Sequence, residues 1–458
     1  MSEENKKIHF IAIGGSVMHN LALALHEKGY LITGSDDEIF EPSKSRLAKA
    51  GILPDSTTWD PSKIHKELHA VILGMHANPD NPELLKAKEL GLKIYTYPEY
   101  IYQQSLDKQR VVIAGSHGKT TITGMILHVM KYFNRKFDYL IGTPLEGFDI
   151  TVKLSDDAPI IIIEGDEHLN SSIDRTPKFL KYHHHIGLVS AVAWDHINIF
   201  PTLDEYVKQF DAFADATPKA GTLIFCESDA VAAMVCKKER DDVTLFEYKA
   251  HKNDIENKQT YLITDVGEVP VHVFGKHNMK NLSGAKAVLS KIGITDKMFY
   301  EAIQSFKGVA NRLEILAEGK TTIIFKDFAH APSELKASTN AVKKQFEKRS
   351  LTAVLELHTY SSLNKEFLSQ YADSFKGADQ PVVYYNLTSI EHKEMEPVNE
   401  KELKEAFNSS DLKVFTDSLK LKKYLLDNAW DNKNLLLMSS GDFDGLDLKD
   451  LANVIVKL

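Results

Sequence analysis

At 458 residues, 43% of them hydrophobic and 26% charged, the chain has the make-up of a folded globular protein and the length of about three domains. A formal net charge of −9 argues against a nucleic-acid or anionic-membrane partner, because no basic stripe is available to neutralise phosphates. Two cysteines, Cys226 and Cys236, make neither a disulfide framework nor a zinc set, and are expected as reduced residues in or near a core. The opening Met-Ser-Glu-Glu-Asn-Lys-Lys is polar and shows no signal peptide, and no apolar stretch approaches the ~20 residues that span a bilayer. A cytoplasmic protein is expected.

Residues 8 to 105 alternate strand and helix signals. Ile8 to Ile13 is an apolar run ending in Gly14-Gly15-Ser16, Val17 to His26 has helical spacing, and Tyr30 to Thr33 is a second strand closing on Gly34-Ser35-Asp36. A β-α-β unit with glycines at its first turn and an acid about twenty residues on can seat a nucleotide's phosphates and ribose. The full Gly-x-Gly-x-x-Gly is absent, so the turn points to a nucleotide or sugar nucleotide more than to a nicotinamide cofactor. The plainer alternative is a structural turn that Asp36 caps. Ala70 to Met75 and Leu92 to Tyr97 are further strands, with Asn78-Pro-Asp-Asn-Pro82 as a turn and helix start between them. The polar stretch Tyr102 to Gln109 closes this unit.

The next stretch, Arg110-Val-Val-Ile-Ala-Gly115-Ser116-His117-Gly118-Lys119-Thr120-Thr121, organises the rest. An apolar run (Val111 to Ala114) predicts a buried parallel strand. A glycine turn follows, then a segment with Ile122, Met125, Ile126 and Val129 at helical spacing. Strand, glycine turn and helix N-terminus form a phosphate cradle in which backbone N–H groups face the anion, Lys119 reaches the terminal phosphates and Thr120 can hold Mg²⁺. Ile113 stands where the first glycine of the strict phosphate-loop spacing belongs, so the loop is tighter than that pattern. The bland alternative is an ordinary glycine turn.

Pro159-Ile-Ile-Ile-Ile-Glu164-Gly-Asp166-Glu167 predicts a buried central strand that delivers Glu164 to the carboxyl edge, where a carboxylate can hold a nucleotide's Mg²⁺. Ile186 to Trp194 is expected to be another strand, bringing His196 to the same edge as a second potential ligand. His183-His184-His185 points its side chains in different directions and is expected to be a solvated loop rather than a metal site. Gly221 to Phe225 and Thr244 to Tyr248 are strands, and Val243 to Val273 is a β-rich excursion. Asn278 and Asn281 lie three apart near a helix start, either facing one ligand edge or serving as a cap and a packing amide. Lys307 to Glu314 crosses into a last unit with strands at Thr321 to Phe325, Leu351 to Leu357, Pro381 to Tyr385, Leu412 to Phe415 and Leu435 to Met438, and a helix from Pro332. The fold class is α/β with three domains: a Rossmann-like N-terminal domain (1–106), a central P-loop ATPase-type α/β domain (107–312) and a C-terminal Rossmann-like α/β domain (313–458).

Taken in order, six stretches resemble motifs of the Mur ligases, the ATP-dependent amide-forming enzymes of bacterial cell-wall precursor synthesis. Gly115-Ser-His-Gly-Lys-Thr-Thr121 resembles the family's ATP loop, Glu164-Gly-Asp-Glu167 its Glu-Ala-Asp-Glu, and Asp195-His196 its Asp-His metal ligand. Gly275-Lys-His277-Asn278-Met-Lys-Asn281 is similar to its adenine-side motif, Asn311-Arg312-Leu-Glu314 to its Arg-Phe-Glu turn, and Asp327-Phe-Ala-His330-Ala-Pro332 to its Asp-Tyr-Ala-His-x-Pro. The resemblance implies ATP and Mg²⁺ as cofactors, with Gly115, Ser116, His117, Gly118, Lys119, Thr120, Thr121, Asn278, Asn281, Arg312 and Asp327 on the nucleotide. It implies metal ligation by Thr120, Glu164 and His196, and catalytic roles for Lys119, Glu164, His196 and His330. Gly14, Gly15, Ser16 and Asp36 then belong to a domain holding UDP-N-acetylmuramate, and the amine partner is a short peptide or an amino acid.

Within the family, the alanine-adding branch usually carries His-Arg-Tyr-Thr-Arg, whereas His358-Thr-Tyr-Ser-Ser362 lacks both arginines. Met438-Ser-Ser-Gly441-Asp-Phe443-Asp-Gly445 resembles the signature of the peptide-recycling branch, which adds L-alanyl-γ-D-glutamyl-meso-diaminopimelate, and that activity is the one expected. No carbamylated lysine is assigned, since Phe210 stands nearer that register than Lys208.

Overall fold

The computed structural model describes residues 6–75, 77–393 and 395–458; the polar opening, Met1 to Asn5, lies outside them. The chain divides into two compact units, one of residues 1–192 and 207–247, the other of 193–206 and 248–458.

The first unit holds two sheets. A four-stranded parallel sheet is ordered Leu31–Ser35, Lys7–Ile11, Leu68–Leu73, Ile94–Thr96. The expected β-α-β opening is present, with the helix Ser16–Glu27 between the first two strands and Gly15 at its N-cap. Asn81 caps the helix Pro82–Glu89 by accepting from Glu83 and Leu84, as the Asn-Pro pair predicts. The second sheet has seven strands in the order Thr244–Tyr248, Thr222–Cys226, Ile186–Val189, Gln109–Ala114, Ile160–Glu164, Asp138–Leu140, Val152–Lys153. Its centre is apolar on both faces, with Val111 to Ala114 and Ile161 to Ile163 inaccessible to solvent. That double burial is why the isoleucine run reads as continuous rather than alternating.

One expected strand is cut short. The apolar pattern predicts a strand over Ile186 to Trp194, but regular pairing ends at Val189. From Ser190 the backbone turns to bond the glycine loop instead, Ser116 N–H donating to Ala191 O at 2.8 Å. Asp195 and His196 therefore lie beyond the strand, on a loop belonging to the second unit.

The histidine triplet is also corrected. His183 is exposed, but His184 is buried, stacks on Phe213 (ring centroids 4.2 Å apart) and meets the Thr217 hydroxyl at 2.9 Å. Burial lowers its pKa to about 3, so it is a neutral core residue. Both cysteines are free and buried.

The second unit contains a three-stranded antiparallel sheet, Asn253–Glu256, Gln259–Thr264 and Gly267–Val271, which is the β-rich excursion. Its six-stranded sheet runs Glu314–Glu318, Ile323–Asp327, Lys433–Met438, Ser350–Glu356, Gln380–Tyr384, Lys413–Phe415. Only the first of these strands is antiparallel to its neighbour. Helix Pro332–Gln345 packs on one face of this sheet, with Leu335 and Val342 in the same core as Phe325, Leu355 and Met438. Leu451 and Ile455 of helix Leu448–Ile455 share a separate core with Ile324, Val354 and Leu437, the residues alternating with those of the first core along the strands. Among the described residues no helix is long and apolar enough to cross a membrane.

Candidate functional site

In the first unit, strand Gln109–Ala114 runs directly into the glycine loop. Gly115 (φ 133°) and Gly118 (φ 82°) adopt backbone conformations that L side chains rarely reach. A Cβ on Gly115 would sit 2.1 Å from Ser190 Oγ, so the loop admits no larger residue there. The Ser190 hydroxyl bonds the Ala114 carbonyl (3.2 Å) and the His117 carbonyl, bracing the loop from the neighbouring strand's exit. Helix Lys119–Tyr132 begins at Gly118 with no side-chain cap, which leaves its first-turn N–H groups oriented for an anion.

Lys119 donates to the Gly115 carbonyl (2.6 Å) and pairs with Glu167 at 2.8 Å. Burial by itself would lower the lysine's pKa, but the carboxylates of Glu167, Asp166 and Glu164 outweigh it and raise it. The ammonium is therefore charged throughout the working pH range. The Thr120 hydroxyl donates to Glu164 Oε1 at 2.5 Å, and Gly142 N–H donates to Oε2 at 2.7 Å. Asp166 pairs with Lys178 at 2.6 Å; burial opposes ionisation, yet the Lys178 and Lys119 charges hold the carboxyl well below the usual range.

A hydroxyl and a carboxylate side by side are hard oxygen donors, and Mg²⁺ takes one or two carboxylates from a protein while filling its octahedron with water and phosphate oxygens. Thr120 and Glu164 fit that demand. Among the described residues no group of three or more His, Cys, Asp or Glu side chains is placed to hold a metal by itself.

At the first sheet, Asp36 Oδ2 accepts from Gly14 N–H at 2.6 Å and Oδ1 from Asp37 N–H at 3.0 Å. The acid thus caps the glycine turn, the plainer of the two roles considered for it. Burial pushes its pKa up to about 6. It also lines a cavity of about 270 Å³ with Ala12, Asp37, Trp59 and Asn78. Gly15 and Ser16 stand at the start of the adjoining helix.

The second unit gathers a different set. His330 Nε2 faces Asp195 Oδ2 at 3.5 Å and its Nδ1 faces Glu334 Oε2 at 3.3 Å. Burial would lower this histidine's pKa, but Glu334 and Asp195 overcome it and raise it to about 9, so the imidazole is a fixed cation at neutral pH. Asp195 also accepts from the Ser361 hydroxyl (3.2 Å) and from the His196 N–H (2.7 Å), and His196 itself holds a left-handed backbone (φ 54°). Asp327 accepts from Leu313 N–H (2.8 Å) and Ala329 N–H (2.7 Å); its burial raises its pKa to about 6 against the pull of the Arg312 charge. The Arg312 guanidinium lies 4.5 Å from the Phe328 ring centroid. On helix Lys276–Lys291, Asn278 donates to Phe274 O at 2.9 Å and Asn281 donates to Asn278 Oδ1 at 3.3 Å. Both amides are engaged one turn apart on the same face.

The structure thus brings Lys119, Thr120 and Glu164 together in the first unit, and places His330 with Asp195, next to His196, in the second. Sequence reasoning assigned no role to Glu167, Ser190, Lys178 or Glu334. Of these, Glu167 lay within the Glu164-Gly-Asp-Glu167 motif and Glu334 carried a local signal, four residues after His330 on the helix that follows it.

Three family models cover the chain in sequence. The Mur ligase family catalytic domain matches residues 7–108, the Mur ligase middle domain 113–289, and the Mur ligase glutamate ligase domain 311–441. The chain belongs to the Mur ligase family. It is therefore an ATP-dependent, amide-forming ligase of peptidoglycan synthesis with the family's three-domain α/β architecture. The UDP-N-acetylmuramate–L-alanine ligase of Carboxydothermus hydrogenoformans is 31% identical over 384 residues, 81% of this chain and 80% of that protein. The enzyme of the same name from Caldanaerobacter subterraneus subsp. tengcongensis is 28% identical across 96% of both chains. Among solved structures, a murein peptide ligase from Psychrobacter arcticus superposes with TM-score 0.66 at 21% identity, over 99% of both chains. The UDP-N-acetylmuramate–alanine ligase of Thermotoga maritima gives TM-score 0.70 at 19% identity over 98% of both, and these two likenesses speak for the fold.

Proposed function

We propose that this Mur ligase activates the carboxylate of UDP-N-acetylmuramate with ATP and couples it to L-alanine. The observation that carries the activation step is the trio in the first unit: a charged Lys119 and the adjoining Thr120 and Glu164 oxygens at the mouth of a glycine loop. The choice of amine follows the sequence relatives, which are L-alanine ligases. The carboxylate oxygen attacks the γ-phosphorus of ATP, ADP leaves, and an acyl phosphate remains. The amine then attacks the acyl carbon, loses a proton, and expels inorganic phosphate. Such a transfer asks a protein for positioning and charge neutralisation. Lys119 supplies a fixed positive charge to the β- and γ-phosphate oxygens, and the N–H groups of His117 and Thr121 orient them, on a loop that Ser116 ties to Ala191 O. Thr120 and Glu164 would hold Mg²⁺, which would supply divalent charge to those oxygens, and His196 would be a metal ligand. Asn278, Asn281, Arg312 and Asp327 serve the nucleotide, and protonated His330 serves the substrate side as a cation. Gly14, Gly15 and Ser16 hold the UDP moiety, on a turn that Asp36 shapes by accepting from Gly14 N–H.

A second reading, in which the amine is the tripeptide L-alanyl-γ-D-glutamyl-meso-diaminopimelate, rests on one local feature. Thr359 and Ser362 stand where the alanine-adding branch has arginines; the Thr359 hydroxyl caps the short helix Tyr360–Leu363 and the Ser362 hydroxyl donates to Thr359 O at 3.0 Å, so neither position offers a cation to the carboxylate of free alanine. ADP release from ATP and UDP-N-acetylmuramate, measured with alanine, with tripeptide and with neither, separates the readings. Turnover with alanine supports the proposal, turnover with tripeptide alone supports the second reading, and none with either leaves a nucleotide-binding regulator.

A further inference from the structure

The parallel strands Ile323–Asp327, Lys433–Met438 and Ser350–Glu356 all begin at one edge of the second unit's large sheet, opposite the edge that carries Asp327. At about 3.3 Å per residue, five residues put that edge roughly 15 Å from Asp327. A cavity of about 760 Å³ opens there, lined by Lys258, Lys320, Lys344, Lys348 and Arg349. Two carboxylates, Asp254 and Glu347, also line it, so the wall carries five cations against two anions on a chain whose net charge is −9.

These cations come from separate elements. Lys258 sits in the tight turn between strands Asn253–Glu256 and Gln259–Thr264, with its backbone at φ 69°. Lys320 precedes strand Ile323–Asp327, Lys344 ends helix Pro332–Gln345, and Arg349 precedes strand Ser350–Glu356. Favourable interaction with the helix C-terminus accounts for Lys344. It does not account for Lys258 or Lys320. The walls are fixed by buried Gln345, which donates to the Lys258 carbonyl at 2.7 Å and accepts from the Thr260 hydroxyl at 3.3 Å.

Arg349 is the decisive residue. It is 6% exposed, and among the described residues its guanidinium donates only to neutral acceptors, Asn434 Oδ1 at 3.0 Å and Lys320 O at 3.4 Å. Burial lowers its pKa, and the charge of Glu318 offsets this only in part. Among the described residues none of the four lysine ammoniums forms an ion pair. A buried guanidinium without a carboxylate partner is costly unless an anion is its counterpart.

We propose that this cavity is a second ligand site, separate from the phosphate loop, for a multiply charged organic phosphate of nucleotide size. Its volume lies within the range of ordinary small-molecule sites and far exceeds that of a single inorganic anion. Lysine point charges around one planar guanidinium suit several phosphate groups in line.

The test labels lysines of the full chain with pyridoxal 5′-phosphate, reduces the adducts with borohydride and locates them by peptide mass spectrometry. Labelling is run alone, with inorganic tripolyphosphate, with GTP, and with potassium chloride at matched ionic strength. At a ligand concentration tenfold above its dissociation constant, labelling of Lys258, Lys320, Lys344 and Lys348 should fall about tenfold. Lys119, read separately in the same digest, reports the phosphate loop. Equal protection by tripolyphosphate and GTP identifies the phosphate chain as the recognised group, and stronger protection by GTP shows that the nucleoside contributes. The double variant Lys344→Gln/Lys348→Gln, both exposed positions, should lose protection at Lys258 and Lys320 while keeping it at Lys119. Absence of protection at the four lysines, equal protection by chloride, or undiminished protection in the double variant overturns the proposal.

Discussion

Replacing Lys119 by Met tests the cradle directly. The ammonium is held by the Gly115 carbonyl and by Glu167, and three carboxylates keep it charged, so no accessible pH substitutes for it. One unit charge about 4 Å from a transferring phosphoryl group, at an effective dielectric of about 20, contributes roughly 4 kcal/mol. Removing it should slow ADP release about a thousandfold. The same change deprives Glu167, whose side chain is 3% exposed, of its ammonium partner, and a buried carboxylate so treated costs about 3 kcal/mol of stability. The two effects are separable. Adding Glu167→Gln should return the melting temperature most of the way to wild type and leave ADP release where Lys119→Met put it. ADP release is followed in a coupled assay and stability by thermal melting. Near-normal turnover in Lys119→Met, or recovery of turnover in the double variant, would refute the assignment of the lysine to the phosphates.

Glu164→Gln should raise the Mg²⁺ concentration needed for half-maximal ADP release and lower the maximum by about a hundredfold, since one of two adjacent oxygen donors loses its charge. Titrating Mg²⁺ against the initial rate checks it. Gly115→Ala forces a Cβ to within 2.1 Å of Ser190 Oγ at φ 133°, and should destabilise the first unit by about 2–4 kcal/mol, measured by urea unfolding. His330 has a folded-state pKa of about 9, raised above its ordinary 6.5, so its stabilising contribution is fully present below pH 6.5 and is lost as pH rises through 9. It amounts to at most about 3 kcal/mol. Melting curves across pH 6 to 10 should show this decline in wild type and a flatter profile in His330→Gln.

The alternation of strand and helix was legible because buried parallel strands leave apolar runs that no loop mimics, and Ile160 to Ile163 is the clearest. The glycine turn between strand Gln109–Ala114 and helix Lys119–Tyr132 was legible because its glycines stand between an apolar run and a helical spacing. The continuation from Ser190 to Trp194 was misread because its apolar residues match a strand, whereas their backbone partners lie in a loop more than seventy residues earlier. Glu167 and Lys178 were invisible as partners of Lys119 and Asp166, since spacings of 48 and 12 residues carry no periodic signal. His184 showed that a run of identical polar residues need not share one environment: His183 is exposed and His185 half-buried against Arg110, while His184 fills a gap against Phe213.

Ser190 gives the glycine loop a dependence on chain order. The glycine turn is written between positions 115 and 118, but its curvature is held by a hydroxyl contributed 73 residues after His117. A nascent chain that has synthesised the loop and its helix still lacks the brace until the strand Ile186–Val189 has paired. Transplanting the loop into another protein would for the same reason carry only half of its shape, and a graft that omits the serine would deliver the right residues on a floppy backbone.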